Sequence, residues 1–365
     1  MANETVVRFG ILGCAQISIK LCKSISKALN ATLVAISSRS LEKAKVFAAE
    51  QGLPDTVRVY GSYEAVVEDE NVDAVYIPLP PALHVTWAVK AVERGKHVLL
   101  EKPVAMNVAE LDQILEACEA NGVQFMDGTM WLHHPRTTKM KEALCDEQRF
   151  GQLKLIHSCM TYNPGPEFLK NSIRMKPDLD GLGALGDIGW YSIQSILWAV
   201  NYELPKSVLA FPKSTFNEEG VIISCGSSLH WEDGKCATFH CSFLTYVTFD
   251  VTILGTKGSL RLHDLTLPFE ESFGYGTFSE SSEIDYGNIE SGRWCPKPNE
   301  HVVETEFCQD VWMVKEFVDL VGKVKSLKMK PDKKWGVKSK KVQIVLDAVK
   351  ESIQRGYQSV EIMMN

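Results

Sequence analysis

The sequence predicts an α/β protein: an N-terminal Rossmann domain with a doubly wound parallel sheet, then an α+β domain with an open, mostly antiparallel sheet. Three observations carry this reading. Short apolar runs alternate with helix-period patterns up to about residue 127. Beyond it, strand-like runs succeed one another with few helices between them. A glycine-containing turn joins the first strand to the first helix. Strands that alternate with helices and are apolar throughout are buried on both faces, as parallel strands are.

Taken in order, Val6 to Leu12 reads as a buried strand, and Ile17, Leu21, Ile25 and Ala28 recur at helical spacing. Leu33 to Ile36 is a second strand, with a helix around Leu41 to Ala49. Val72 to Leu79, Val98 to Leu100 and Val123 to Met126 are further strands; helices fall around Ala88 to Val92 and over Ala109 to Ala120. In the second part, strands are expected at Leu153–Tyr162, Lys206–Phe211, Val221–Trp231, Ala237–Leu244, Phe249–Leu254 and Ser259–His263. Turn signals such as Glu232-Asp233-Gly234 separate several of them. Helices are expected at Gly186–Val200, Asp310–Val321 and Ser339–Arg355. Residues 274–300, poor in aliphatics and rich in Ser, Glu and Gly, read as a long loop, either a lid or a mobile segment. The Lys-rich stretch 323–341 reads as a solvated connector. This gives two domains, residues 1–127 for a dinucleotide and 128–365 for substrate and dimerisation.

The composition narrows the class. The 365 residues include 39 Lys and Arg against 46 Asp and Glu, a net charge of −7. An acidic chain is a poor general binder of nucleic acid, which draws its affinity from basic surfaces. With 45% hydrophobic and 23% charged residues the chain is globular rather than disordered. No run approaches the about 18 apolar residues of a membrane helix, and Met1–Thr5 opens no signal peptide. The 10 cysteines form no Cys-x-x-Cys pair and sit in apolar runs, which suggests reduced thiols in the cytoplasm and no zinc site. His133 and His134 are adjacent, a poor metal geometry, so no metal is expected.

The turn Gly10-Ile11-Leu12-Gly13-Cys14-Ala15-Gln16-Ile17-Ser18 stands where a dinucleotide pyrophosphate rests on a helix N-terminus. It breaks the strict G-x-G-x-x-G rule. Gly13 takes the first place, Ala15 the second and Ser18 the third, and Gln16 and Ile17 open the helix. A tight turn with no ligand is the competing reading. An NAD site usually ends the second strand with an acid that binds the ribose hydroxyls. Here the strand ends Ser37-Ser38-Arg39-Ser40, with Lys43 one turn on. Ser38, Arg39 and Lys43 suit a 2′-phosphate, so NADP is expected, with NAD as the alternative. Ser38 and Ser40 are also natural caps for the next helix.

Three further stretches matter: Val75–His84 with its prolines, Gly95–Pro103 with Glu101-Lys102-Pro103, and Gly181–Tyr191 with Asp187 and Tyr191. With the opening strand and the Ser-Arg end of strand two, they resemble the glucose–fructose oxidoreductase / inositol dehydrogenase / rhizopine-catabolism (Gfo/Idh/MocA) family. Tyr191 resembles the dihydrodiol and D-xylose dehydrogenase branch and a plant-type member of it. The resemblance implies a cis Lys102–Pro103 bond and cofactor contacts from Pro78, Leu79, His84, Glu101 and Lys102. Pro81 and Leu182 depart from the family pattern, and Leu132 stands where Arg is frequent, which argues against a strongly anionic substrate.

Asp187 and Tyr191 are four residues apart and would share a helix face. A phenol near pKa 10 needs a nearby ammonium to serve as an acid–base group at neutral pH. The expected roles are Tyr191 exchanging the substrate proton, Lys102 tuning it and Asp187 orienting Lys102. Trp131, Tyr162, Phe168, Arg174 and Trp190 are candidate pocket residues, with Tyr162 favoured by its place at a strand end. The expected function is hydride transfer between NADP and a CH–OH or C=O group of a sugar, polyol or cyclic trans-diol. A non-catalytic NADP-binding sensor on the same fold is the alternative. An exposed apolar sheet face in the second domain is expected to pair two copies as a homodimer.

Overall fold

The computed structural model describes residues 6–269, 275–282 and 298–363. It divides into two compact units: Met1–His133 with Gln309–Lys340, and His134–Cys308 with Lys341–Asn365.

The first unit is a six-stranded parallel sheet of β1 (Val7–Leu12), β2 (Ala31–Ser37), β3 (Arg58–Tyr60), β4 (Ala74–Ile77), β5 (His97–Leu100) and β6 (Phe125–Asp127). The strand order is β3-β2-β1-β4-β5-β6, the doubly wound arrangement. Helices α1 (Gln16–Lys27), α2 (Leu41–Glu50), α3 (Tyr63–Val67), α4 (His84–Glu93) and α5 (Val108–Asn121) connect the strands. Local chemistry starts them: Ser40, Ser62 and Asn107 each accept an N–H from the first turn of the helix that follows. Gly122 ends α5 in the left-handed conformation.

The sequence assigned residues 309–340 to the C-terminal domain, yet they complete the first unit. Helix α9 (Gln309–Leu327) lays the fully buried Phe317 against Phe9 of β1, ring centroids 5.8 Å apart. Gln124 and Asp332 exchange two hydrogen bonds of 2.8 Å beside β6, the last strand of the sheet. The lysines of this stretch are largely neutralised: Lys323 pairs with Asp319, Lys325 with Asp73, Lys333 with Glu119, Lys334 with Glu316 and Lys340 with Asp112.

The second unit holds a ten-stranded sheet. Its strands are β7 (Leu153–Thr161), β8 (Ser207–Ala210), β9 (Thr215–Phe216), β10 (Ile222–His230), β11 (Cys236–Ser242), β12 (Thr248–Gly255), β13 (Gly258–Leu262), β14 (Tyr275–Ser282), β15 (Asn299–Glu304) and β16 (Val360–Glu361). The order is β15-β14-β13-β12-β7-β11-β10-β8-β16, with β9 on β10. All pairings are antiparallel except β7 with β11. Helices α6 (Pro135–Leu144) and α7 (Pro166–Asn171) precede α8 (Trp190–Ala199), and α8 packs on β7, β11 and β12.

The loop expected over residues 274–300 is thus corrected in part: 275–282 is strand β14, and Asn299 begins β15. Residue 274 and residues 283–297 of that loop lie outside the described residues. The open face of the sheet is also less apolar than expected. Inward positions of β7 and β11 are Ile156, Ser158, Met160, Ala237, Phe239 and Cys241, all buried. Outward positions are Leu155, His157, Cys159, Cys236, Thr238 and His240, half-buried or exposed.

Gly183 and Gly122 both occupy the left-handed region, with φ of 57° and 64°. A Cβ at Gly183 would be driven into the Ile222 carbonyl, whereas one at Gly122 meets nothing within 4 Å. Gly122→Ala is expected to cost only the left-handed penalty, about 1–2 kcal/mol. Gly183→Ala is expected to cost clearly more. Thermal midpoints check this, and equal shifts for the two variants would contradict it.

Candidate functional site

Within the first unit, the site residues gather at the carboxyl ends of the parallel strands, where open α/β sheets bind ligands. Gly13 leaves β1 with φ 131°, a conformation that favours glycine, and a Cβ there would lie 3.2 Å from Leu79. Ser18, fully buried, takes the place of the third glycine and ties the turn together. Its hydroxyl donates to Gly13 O at 2.9 Å and accepts from Ala15 N–H at 3.2 Å. The amides of Gln16 and Ile17, in the first turn of α1, have no carbonyl within the helix to bond. This is a cradle for a phosphate.

At the end of β2 the two serines divide their work. Ser40 caps α2 by accepting from Lys43 N–H, and Ser38 accepts from Ser40 N–H. Arg39 and Lys43 are exposed, and among the described residues neither forms an ion pair with a carboxylate. Lys43 also bears on Cys14, the thiol in the turn, whose titration burial pushes up to about 11. Cationic and hydroxyl groups with no acid at this strand end fit a phosphorylated dinucleotide better than free ribose hydroxyls.

The ends of β4 and β5 are held together by His84. Its Nε2 lies 2.8 Å from Leu79 O and its Nδ1 3.2 Å from Val104 O. The ring is fully enclosed and both nitrogens face carbonyls. The expected cofactor contact through His84 is therefore corrected: its ring faces inward and braces the two turns. The Lys102–Pro103 bond is cis, as the resemblance implied. Glu101 accepts the Tyr76 hydroxyl at 2.5 Å and the Lys102 N–H at 3.1 Å. A Cβ at Gly128 would press on the Glu101 carboxyl, so glycine there keeps its space. Burial pushes the Glu101 carboxyl up, against the pull of Tyr76 and Lys102.

In the second unit, Asp187 lies in a π-turn, Leu185–Gly189, that runs directly into α8. The expected single α-helical face for Asp187 and Tyr191 is corrected by this junction, since a π-turn closes one residue later than an α-turn. Insertions of this kind recur at functional positions. Gly189 allows it, because a Cβ there would crowd Leu185 and the Cys241 thiol. Asp187 is buried; Arg174 Nε lies 2.9 Å from its Oδ1 and the Tyr162 hydroxyl 2.9 Å from its Oδ2. Tyr191 is 7% exposed.

The structure thus brings Tyr162, Arg174 and Asp187 together. Trp131 and Trp190, both expected to line a pocket, are enclosed at 1% and 0% exposure, which leaves no ring surface for a substrate. Sequence reasoning missed Phe243, which stands edge-on to Tyr162 and Phe168. It also missed Tyr76, whose hydroxyl leaves the middle of an apolar strand for Glu101. Neither position carries a local sequence signal.

The sequence matches the family described as oxidoreductase family, NAD-binding Rossmann fold, over residues 7–129. It matches the GFO/IDH/MocA C-terminal domain over residues 138–261. D-xylose 1-dehydrogenase (NADP(+)) 2 of Haloferax volcanii is 34% identical over 253 residues, 69% of this chain and 74% of that one. Trans-1,2-dihydrobenzene-1,2-diol dehydrogenase of Xenopus tropicalis is 30% identical over 257 residues, 70% of this chain and 74% of that one. Among solved structures, KijD10, a 3-ketoreductase from Actinomadura kijaniata in complex with NADP and TDP-benzene, aligns with a TM-score of 0.80. It covers 95% of this chain and 98% of that chain at 24% identity, a likeness of fold.

Burial holds the imidazoles of His84 and His97 down to about 4, from an ordinary value of 6.5. Between those values the unfolded chain binds protons that the folded unit refuses. Stability is therefore fully present above pH 6.5 and falls as pH drops towards 4. Thermal midpoints across this window are expected to show that slope, and His84→Gln is expected to flatten it. An unchanged slope in the variant would remove His84 from this role.

Proposed function

The chain belongs to the Gfo/Idh/MocA oxidoreductase family, and we propose that it is an NADP-dependent enzyme acting on a CH–OH or C=O group of a sugar, polyol or cyclic trans-diol. One observation carries the cofactor choice. The end of β2, Ser37-Ser38-Arg39-Ser40, holds no carboxylate and presents Ser38 and Arg39, with Lys43 following in the first turn of α2 beside Glu42. NAD is the poorer cofactor in this reading. The substrate class is supported by relatives named for D-xylose, a dihydrodiol and a dTDP-sugar.

The bound cofactor supplies the nicotinamide carbon that gives or takes a hydride. The chain's own residues do the rest. Gly13, Ala15, Gln16 and Ile17 seat the pyrophosphate, and Pro78, Leu79 and Glu101 shape the nicotinamide end. Tyr191 gives or takes the hydroxyl proton, Lys102 supplies the positive charge that makes a phenol competent near neutral pH, and Asp187 compensates and orients that charge. We further propose a cytoplasmic homodimer formed through the open face of the second unit's sheet. Leu155, Leu209, Phe211 and Leu254 stand among small polar and imidazole side chains there, and none is fully buried. A sheet face of this kind can pack on its own copy.

NADP is expected to exceed NAD by about tenfold or more in kcat/KM, the worth of one or two charge-assisted hydrogen bonds. Equal use of NAD would overturn the choice. Across a panel of pentoses, hexoses, inositols and dihydrodiols, Tyr191→Phe is expected to lose about 10²- to 10⁴-fold in kcat with NADPH binding retained. Tight NADPH binding by the wild-type protein with no turnover on the whole panel would favour the sensor instead. A sedimentation mass of one chain would overturn the homodimer.

A further inference from the structure

We propose that Arg174 is a positioning residue that, together with Tyr162, grips both carboxylate oxygens of Asp187 and fixes the direction in which that carboxylate acts. The inference rests on the reading above, in which Asp187 serves the proton-transfer set.

The geometry is a two-sided grip. Arg174 Nε donates to Oδ1 and the Tyr162 hydroxyl to Oδ2, each at 2.9 Å. Asp187 is only 5% exposed, and a carboxylate so enclosed requires a compensating charge and donors. Arg174 supplies the charge, and the grip is itself anchored. The guanidinium lies over the Phe168 ring at 6.0 Å. Phe168, Tyr162 and Phe243 stand edge-on to one another, with centroids 5.1 to 6.1 Å apart. The Tyr162 N–H bonds Ser242 O at 3.0 Å, which ties it to the end of β11. Two rigid donors on one carboxylate leave it little rotation, which is what a π-turn, with its looser backbone, would otherwise permit.

Both donors keep their protons. The Asp187 charge pushes the guanidinium of Arg174 up, and burial together with the same charge pushes the Tyr162 phenol up. Tyr162, expected as a pocket residue at a strand end, is therefore unsuited to exchanging a proton with a substrate. Lysine at position 174 would keep the charge but not the planar fork that aims Nε.

The test separates positioning from substrate contact and from simple folding. With NADP and the best panel substrate, Arg174→Met is expected to lower kcat by about tenfold to a hundredfold, the scale of a misplaced catalytic group. The substrate KM and the NADPH dissociation constant of the folded enzyme should stay within about twofold, the thermal midpoint should fall because the enclosed carboxylate loses its compensating charge, and Arg174→Lys should recover part of both losses. In the double variant Arg174→Met/Asp187→Asn, kcat should fall no further than in Asp187→Asn alone, because both changes remove the same interaction. Additive losses, or a raised KM with kcat intact, would overturn the proposal in favour of an independent or substrate-binding Arg174. If Arg174→Met fails to fold, Arg174→Lys and Tyr162→Phe carry the same comparison, and wild-type kcat in both would overturn it. Wild-type kcat in Asp187→Asn would instead overturn the underlying reading of the site.

Discussion

The central parallel strands of the first unit are buried along nearly their whole length, so the polar groups that could meet a ligand are placed where each strand ends. Phe9, Ile11, Ala35, Ile36, Val75, Val98 and Leu99 have no exposure at all. Gly13 follows β1, Ser38 and Arg39 follow β2, Pro78 and Leu79 follow β4, and Glu101 and Lys102 follow β5. Because the strands are parallel, all these ends fall on one edge. Tyr76 shows the rule from within. Its ring is fully buried in β4, and its hydroxyl reaches the Glu101 carboxyl at the end of the neighbouring strand. His84 serves the same edge by bracing two of its turns, through Leu79 and Val104.

The second unit meets a different demand. It encloses a carboxylate on a turn whose hydrogen bonding is already irregular, and much around Asp187 answers that problem. Gly189 makes room for the π-turn against the Cys241 thiol, which itself lies 3.4 Å from the Cys225 sulfur. Arg174 and Tyr162 supply donors, and the aromatic trio holds them. Elsewhere in the unit the same demand is met again: Arg136 and Asp264, both buried, pair at 2.6 Å, with further guanidinium bonds to the carbonyls of Asp264 and Leu265.

Much of the fold was legible because its strands are strongly patterned. The six strands expected in the second unit each lie within about two residues of β7, β8, β10, β11, β12 and β13. Strands β14 and β15 were illegible for a physical reason. Glu280 of β14 is buried, and it is satisfied by Arg149 and His301 rather than by apolar neighbours. A strand stabilised in this way has no alternation for a sequence to display. The return of α9 to the first unit was equally hidden, since an amphipathic helix does not reveal which sheet it covers. At the site, the residues named from the sequence, Gly13, Ser38, Arg39, Glu101 and Lys102, do stand at strand ends. The enclosure of Trp131 and Trp190, and the inward-facing ring of His84, depend on contacts distant in sequence. The grip of Arg174 on Asp187 likewise joins two irregular segments that no periodicity connects.

The discontinuity of the first unit has a consequence for synthesis. All six strands of its sheet leave the ribosome before any of the second unit is made, yet the helix that covers β1 comes only after residues 134–308 of that unit. Until α9 emerges, the flank that later receives Val311, Val314, Phe317, Val318 and Val321 stays uncovered. The nascent chain must carry that apolar flank through the translation of most of a second core, a long interval in which a holding chaperone has a surface to bind and a neighbouring nascent chain has one to mispair with.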